Sequence, residues 1–322
     1  FGIGAVVFVV MAFMIVRSRY QPKAGSSGGV SSGRWIAWAM LAPAILTILL
    51  WSYYPLLRGM VMAFQNYRIV GESEWVGLNN FIVAAIDKNT WMSVLRTLQF
   101  VGLTICIGFV APIVLAFLVT EVPRWKIFFR TLFFLPQMTS AIIVALLWKL
   151  MYDPTEFGFL NQVLGFIGIE KQNWLFDEDL AMLCCVLPAV WAGAGIQSLI
   201  YVAALRSLPD DYYEAAALDG AGIFRRVIHV SIPQLLPLIV INFVGTFIAA
   251  FQNMNYIFLL TFGGPNRATE VLGMTIWKLA YNDLRFSMAT TLAWFLGVAL
   301  IGFTYFQIRF LRKVEFRRAE QN

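Results

Sequence analysis

The chain has 322 residues, of which 60% are apolar and 13% charged, about half the charged share of a soluble domain. With 28 phenylalanines and 11 tryptophans to hide, this composition excludes a soluble enzyme, a disordered chain and a disulfide scaffold, and it predicts a polytopic membrane protein. The formal charge of +6 does not point to nucleic acid, because the basic residues gather at the ends of apolar runs.

A membrane-crossing helix takes about 20 mainly apolar residues. Seven stretches approach that length: Phe1–Val16, Trp35–Leu57, Val94–Thr120, Thr131–Met151, Leu180–Leu205, Leu235–Phe262 and Phe286–Leu311. The first is incomplete and opens without a methionine, so the chain is expected to lack its true start. It has no basic leader or small-residue cleavage site, which favours a membrane anchor over a signal peptide. Gln21–Arg34 is rich in Gly and Ser and reads as a flexible linker. Fifteen of the 24 basic residues fall in one set of loops, including Arg124, Lys126, Arg130, Arg206, Arg225, Arg226 and the Arg309–Arg318 segment. By the positive-inside bias those loops and the C-terminus are cytoplasmic. No carboxylate or histidine relay lies inside a span, as a proton-coupled carrier would need.

The external segment Pro154–Asp179 is expected to form short interfacial helices, serving as a docking surface or as a plain connector. Gly263-Gly264-Pro265 reads as a turn at the outer membrane edge, and Gln137, Thr139 and Ser140 can satisfy backbone groups freed by Pro136. Cys106, Cys184 and Cys185 read as buried, inert thiols with no metal-ligand spacing. The lone histidine, His229, reads as packed or solvated rather than catalytic.

The longest informative cytoplasmic stretch runs from Ser207 to Pro237. Ser207 is placed to cap a helix, with Pro209, Asp210 and Asp211 in its first turn. Tyr213–Leu218 forms helix readily, and Asp219-Gly220 stops it. A second short helix, Ile223–Ser231, should end before Pro233, giving a helix–turn–helix hairpin outside the membrane. Its small-residue face, Ala215 to Ala217, permits close approach by another protein.

Glu214-Ala215-Ala216, Asp219-Gly220-Ala221 and Pro233 resemble the EAA signature of ABC-importer permeases. Tyr54-Pro55, Gly77-Leu78-Asn79-Asn80-Phe81, Phe134-Leu135-Pro136, Asn173-Trp174-Leu175, Leu260-Thr261 and Gly263-Gly264-Pro265 are similar to its carbohydrate-uptake, MalF-like branch. The resemblance covers roughly residues 35–315. It implies an all-α polytopic membrane protein with a six-helix permease core; Phe1–Arg34 lies outside it, and the apolar run there adds at least one N-terminal transmembrane helix. The domains are then an N-terminal helix and linker (1–34), a permease domain (35–315) with a coupling hairpin at 207–233, and a cytoplasmic tail (316–322).

The resemblance further implies that the hairpin docks on a separate ATPase. Glu214, Ala215, Ala216, Asp219, Gly220 and Ala221 would be the coupling positions. The chain has no G-x-x-x-x-G-K-[ST] motif, so ATP and magnesium would belong to partner subunits, and this chain would hold no cofactor and break no covalent bond. The implied assembly is a second homologous permease chain, two ATP-binding subunits and an extracytoplasmic solute-binding protein, in a bacterial inner membrane and without nucleic acid.

Asn242, Thr246 and Asn253 share one helix face, with Asn255 beyond them and Trp191, Gly193 and Gln197 on the preceding span. Such a set of amides, hydroxyls and an aromatic ring suits a sugar, and the resemblance places sugar contacts on these two spans. The same groups also serve ordinary helix–helix hydrogen bonding. The expected substrate is a di- or oligosaccharide. The competing functions are an importer of a non-sugar solute such as a glycerophosphodiester, and an ion-coupled secondary carrier or channel.

Overall fold

The computed structural model describes residues 30–121 and 126–319. The expected helix Phe1–Val16, the linker up to residue 29, Arg124 and residues 320–322 lie outside the described residues. The chain divides into two compact units, residues 1–80 and 81–322.

In the first unit, helix α1 (Val30–Ile48) continues through a wide π-turn, Leu49–Tyr53, into α2 (Tyr54–Ala63). Helix therefore begins inside the stretch read as linker: Val30–Arg34 extends the apolar helix by more than a turn, which gives its backbone groups internal partners. Pro43 sits within α1 and Pro55 in the first turn of α2. A two-residue ribbon follows, β1 (Gln65–Asn66) antiparallel to β2 (Glu74–Trp75), with Gln65 opposite Trp75. Stacked Phe64 and Trp75 rings, 5.8 Å apart, close it. Asn80 of the Gly-Leu-Asn-Asn-Phe run pins it by donating its amide to the Ala63 and Gln65 carbonyls, both at 2.9 Å.

In the second unit, after α3 (Asn79–Ile86), Asp87 caps α4 (Lys88–Leu103) by accepting from the Asn89 and Thr90 amides. A π-turn, Thr104–Phe109, leads into α5 (Val110–Glu121). Then come α6 (Lys126–Phe134), α7 (Ala141–Met151), α8 (Phe159–Phe166), α9 (Ala181–Arg206), α10 (Asp210–Leu218), α11 (Ile223–Arg226), α12 (Ile232–Gln252), α13 (Asn255–Leu260), α14 (Leu272–Tyr281) and α15 (Phe286–Ala319). Among the described residues five helical stretches are long and apolar enough to cross a membrane: Trp38–Ala63, Lys88–Thr120, Ala181–Arg206, Ile223–Leu260 and Phe286–Gln307. Among the described residues the architecture is all-α apart from the small ribbon.

The expected span Thr131–Met151 is broken. Pro136 has no N–H to give and its ring clashes with the carbonyl one turn back, so α6 ends and a short 3-10 turn, Pro136–Met138, separates it from α7. Thr139 Oγ1 then donates to the Leu135 carbonyl at 3.1 Å, the backbone service expected of it, whereas Ser140 accepts the Ile142 amide and caps α7. Leu235–Phe262 is also not one helix. Asn253 turns extended, and its side chain accepts the Asn255 amide at 3.1 Å, a local bond that competes with the helix ladder.

The core is built around α9, the most buried of the crossing helices. At one end Met182, Cys185, Val186, Ile257 and Met274 pack together; at the other, Leu115, Ala116, Tyr201, Leu205 and Leu235 do so. Cys184 and Cys185 are buried as expected, whereas Cys106, in the π-turn, is exposed. The segment between α7 and α9 holds α8 and a 3-10 turn, Trp174–Phe176. Buried Asn161 organises it, donating to the Asp153, Thr155 and Gln172 carbonyls and accepting from the Gln172 amide and the Trp174 indole at 3.0 and 2.9 Å.

Candidate functional sites

Between α9 and α12 lies the first site. Gln197 on α9 and Asn242 and Thr246 on α12 line one cavity of about 240 Å³, together with Phe109, Pro112 and Tyr201. The side chains of Asn242 and Thr246 are half-buried, and Tyr201, almost fully buried, lines the same cavity. Every side chain lining this cavity is uncharged. Polar groups inside long apolar helices are costly unless they face protein or a wet cavity, and here they face one.

The other expected members are not brought into it. Trp191 packs its ring edge-on against Trp148, 6.0 Å away, in the core cluster. Gly193 lies one turn from Gln197, and a side chain there would meet the Gln197 amide at 3.5 Å. Asn253 and Asn255 are exposed, at the break that ends α12, so the helix face assumed for Asn253 stops short of it. Tyr201 was not legible as a site residue, because its hydroxyl becomes relevant only once α9 meets α12.

The second site is the segment around α10. Asp210 and Asp211 occupy the first turn, where the helix dipole favours them. Pro209, not Ser207, is the residue at the helix start. Ser207 instead closes α9, with Oγ donating to the Ala204 carbonyl at 2.8 Å. The far end of α10 is a Schellman turn. The Ala221 amide donates to the Ala216 carbonyl at 2.9 Å, and the Gly220 amide to the Ala217 carbonyl at 3.0 Å. Gly220 holds φ +71°, a left-handed conformation that residues with a Cβ adopt poorly. The alanines at 216 and 221 are therefore the two ends of one turn, which explains their spacing. Glu214, Ala215 and Asp219 are exposed, and so are Leu218 and Phe224, at 90% and 84%.

The second arm does not stop before Pro233. Pro233 cannot donate to the carbonyl one turn back, and the chain absorbs this with a π-turn, Val227–Ser231, that carries α11 directly into α12. The hairpin is thus a short helix joined to the root of a crossing helix. His229 Nδ1 lies 3.1 Å from the Arg225 carbonyl, a backbone role within this turn.

At the opposite end of the spans, the Gly-Gly-Pro turn sits in a polar latch that the sequence reading did not single out. Glu270, nearly buried, accepts from Arg267 and Lys278, both at 2.8 Å, and from Thr275 at 3.2 Å. Arg267 also donates to Asn89 at 2.7 Å, and the Ser93 and Thr275 hydroxyls meet at 2.8 Å, which fixes α14 on α4. Gly263 has φ +91° and a side chain there would crowd the Lys278 ammonium. Burial alone would raise the Glu270 carboxyl, but hydrogen bonds from Arg267 and Lys278 hold it below its ordinary value. A carboxyl depressed in the folded state stabilises above its unfolded pKa. The latch is therefore intact at neutral pH and is lost as pH falls through the lowered value. Lys278→Met should cost about 2 kcal/mol, seen as a lower thermal midpoint at pH 7, with the gap to the parent closing at acid pH.

A family model described as "Binding-protein-dependent transport system inner membrane component" matches residues 108–319. The chain is 30% identical over 288 residues to the probable ABC transporter permease protein YurN of Bacillus subtilis, covering 88% of this chain and 98% of that one. It is 29% identical over 256 residues to the arabinooligosaccharides transport system permease protein AraP of the same organism, with 77% and 80% covered. A solved bacterial alginate ABC transporter, in complex with its alginate pentasaccharide-bound periplasmic protein, contains a chain of the same fold. The TM-score is 0.77 at 26% identity, over 87% of this chain and 95% of that one.

Proposed function

The chain belongs to the binding-protein-dependent transport system inner membrane components, and from that premise we propose that it forms half of an oligosaccharide pathway worked by a separate ATPase. It is a multi-pass ABC-importer permease subunit of the inner membrane. In the proposed arrangement α10 lies on the cytoplasmic side with the C-terminus, as the basic loops favour. Two ATP-binding subunits engage the hairpins of this chain and of a second, homologous permease chain. A solute-binding protein delivers the sugar to the opposite face, near the Gly-Gly-Pro turn.

The observation that carries this reading is the α10 segment. It is a short helix closed by a Schellman turn, with the large apolar side chain of Leu218 exposed at its end and that of Phe224 exposed just after the turn, at the start of the next crossing stretch. Exposed apolar groups on a rigid helix fit a groove on another protein. The cavity between α9 and α12 supports the substrate class. Amides and hydroxyls can exchange hydrogen bonds with sugar hydroxyls, while an anionic solute would sit there with no cation from this chain to offset its desolvation.

The test is ATP hydrolysis by the reconstituted importer, with its binding protein loaded in turn with neutral oligosaccharides, uronate oligosaccharides and a glycerophosphodiester. Stimulation by a neutral oligosaccharide is expected. Stimulation by the anionic ligands alone would contradict the substrate assignment, and uptake that follows an ion gradient without ATP would contradict the importer itself.

A further inference from the structure

We propose that the hydrogen bond between Tyr213 and Ser231 is the strut through which movement of α10 reaches the sugar cavity. This rests on α10 being the ATPase-docking element. The Tyr213 hydroxyl and Ser231 Oγ lie 2.9 Å apart, across 18 residues of sequence, and Ser231 is fully buried. The bond ties α10 directly to the root of the next crossing helix and bypasses the turn Asp219–Gly222. Without it, a push on α10 would reach the root of α12 along the chain only through four residues that hold one left-handed glycine, a connection able to flex, while the other end of α10 leads through Ser207–Pro209 into α9.

The place where the strut lands matters. Ser231 is the last residue of the π-turn and directly precedes α12. Asn242 is 11 residues further along, about 16 Å at the helical rise, and Thr246 lies one turn beyond it on the cavity wall. The π-turn interrupts the regular α-helical ladder at Ser231, so a sideways pull there acts at a junction in the helix, at the root of α12. Tyr213 thus has a mechanical role distinct from that of its neighbour Glu214. Glu214 is exposed, while the Tyr213 hydroxyl reaches buried Ser231. Tyr213 is accordingly a positioning residue, acting on the cavity through Ser231.

The experiment compares Tyr213→Phe, Ser231→Ala and the double variant in the complete importer, reconstituted in lipid with its ATPase and loaded binding protein. The reading is sugar molecules moved per ATP hydrolysed, alongside recovery of the ATPase with the tagged permease. Each single variant should keep the complex together and lower the sugar-to-ATP ratio about fivefold, what losing one hydrogen bond in the coupling step is worth. The double variant should be no worse than either single one, because all three remove the same bond. A parent-like ratio in Tyr213→Phe would overturn the strut, and so would additive losses. Loss of the ATPase from the Tyr213→Phe complex would also overturn it, by making Tyr213 a docking contact. A parent chain that never retains an ATPase would instead refute the docking reading on which the strut rests.

Discussion

Gly220→Val is expected to cut coupled uptake several-fold or more while leaving the spans folded. The position has no atom within 4 Å of where a Cβ would stand, so there is room for the side chain and the penalty lies in the backbone. At φ +71° a β-branched residue costs about 1–2 kcal/mol or more, and the chain would relax by opening the turn. Opening it frees the Ala216 and Ala217 carbonyls and lets α10 swing away from its set direction. A free-energy change of that size shifts a two-state population by about 5–30-fold, so uptake should fall by about that factor. Thermal unfolding of the purified chain should stay close to the parent, since Gly220 is exposed and far from the core clusters. Normal uptake with normal ATPase recovery would remove the hairpin from the coupling role.

Asn242→Leu should produce the opposite pattern: an intact complex that binds ATPase and hydrolyses ATP but moves sugar about tenfold more slowly or at higher KM. Leucine fills a similar space, and loss of a half-buried amide from an apolar helix carries little penalty for folding in a membrane. What disappears is one of the four polar side chains, with Gln197, Tyr201 and Thr246, that line the cavity. Asn253→Leu is the matched control. Asn253 is exposed at the helix break and bonds only locally to the Asn255 amide, so its replacement should alter uptake about twofold or less. Equal effects at the two positions would mean that the path follows the whole polar face rather than this cavity.

The crossing helices were legible because a membrane imposes a one-dimensional signal: a run of apolar residues long enough to span it. The breaks were less legible. Pro136 follows Phe134-Leu135 in a sequence otherwise suited to a span, and only the missing N–H decides that α6 and α7 separate there. At Pro233 the same missing donor led to the wrong expectation, because the chain widened its helix into a π-turn instead of ending it. The Schellman turn was readable from Asp219-Gly220, since its chemistry is local. The Tyr213–Ser231 bond and the Glu270 latch were not, because each joins groups that become neighbours only after packing. For the candidate cavity, sequence spacing brought Asn242 and Thr246 to one face. It could not foresee the end of α12 at Gln252, which leaves Asn253 outside, nor the Trp191 ring turned into the core.

The central claim, that this chain works as a subunit driven by a separate ATPase, is tested most directly by gentle detergent purification through a tag on this chain, with quantitative mass spectrometry of what accompanies it. The account predicts a second permease chain in equal amount and an ATP-binding subunit in twice that amount, with the ATPase lost selectively in Gly220→Val. Recovery of this chain alone, from membranes that contain those subunits, would contradict it.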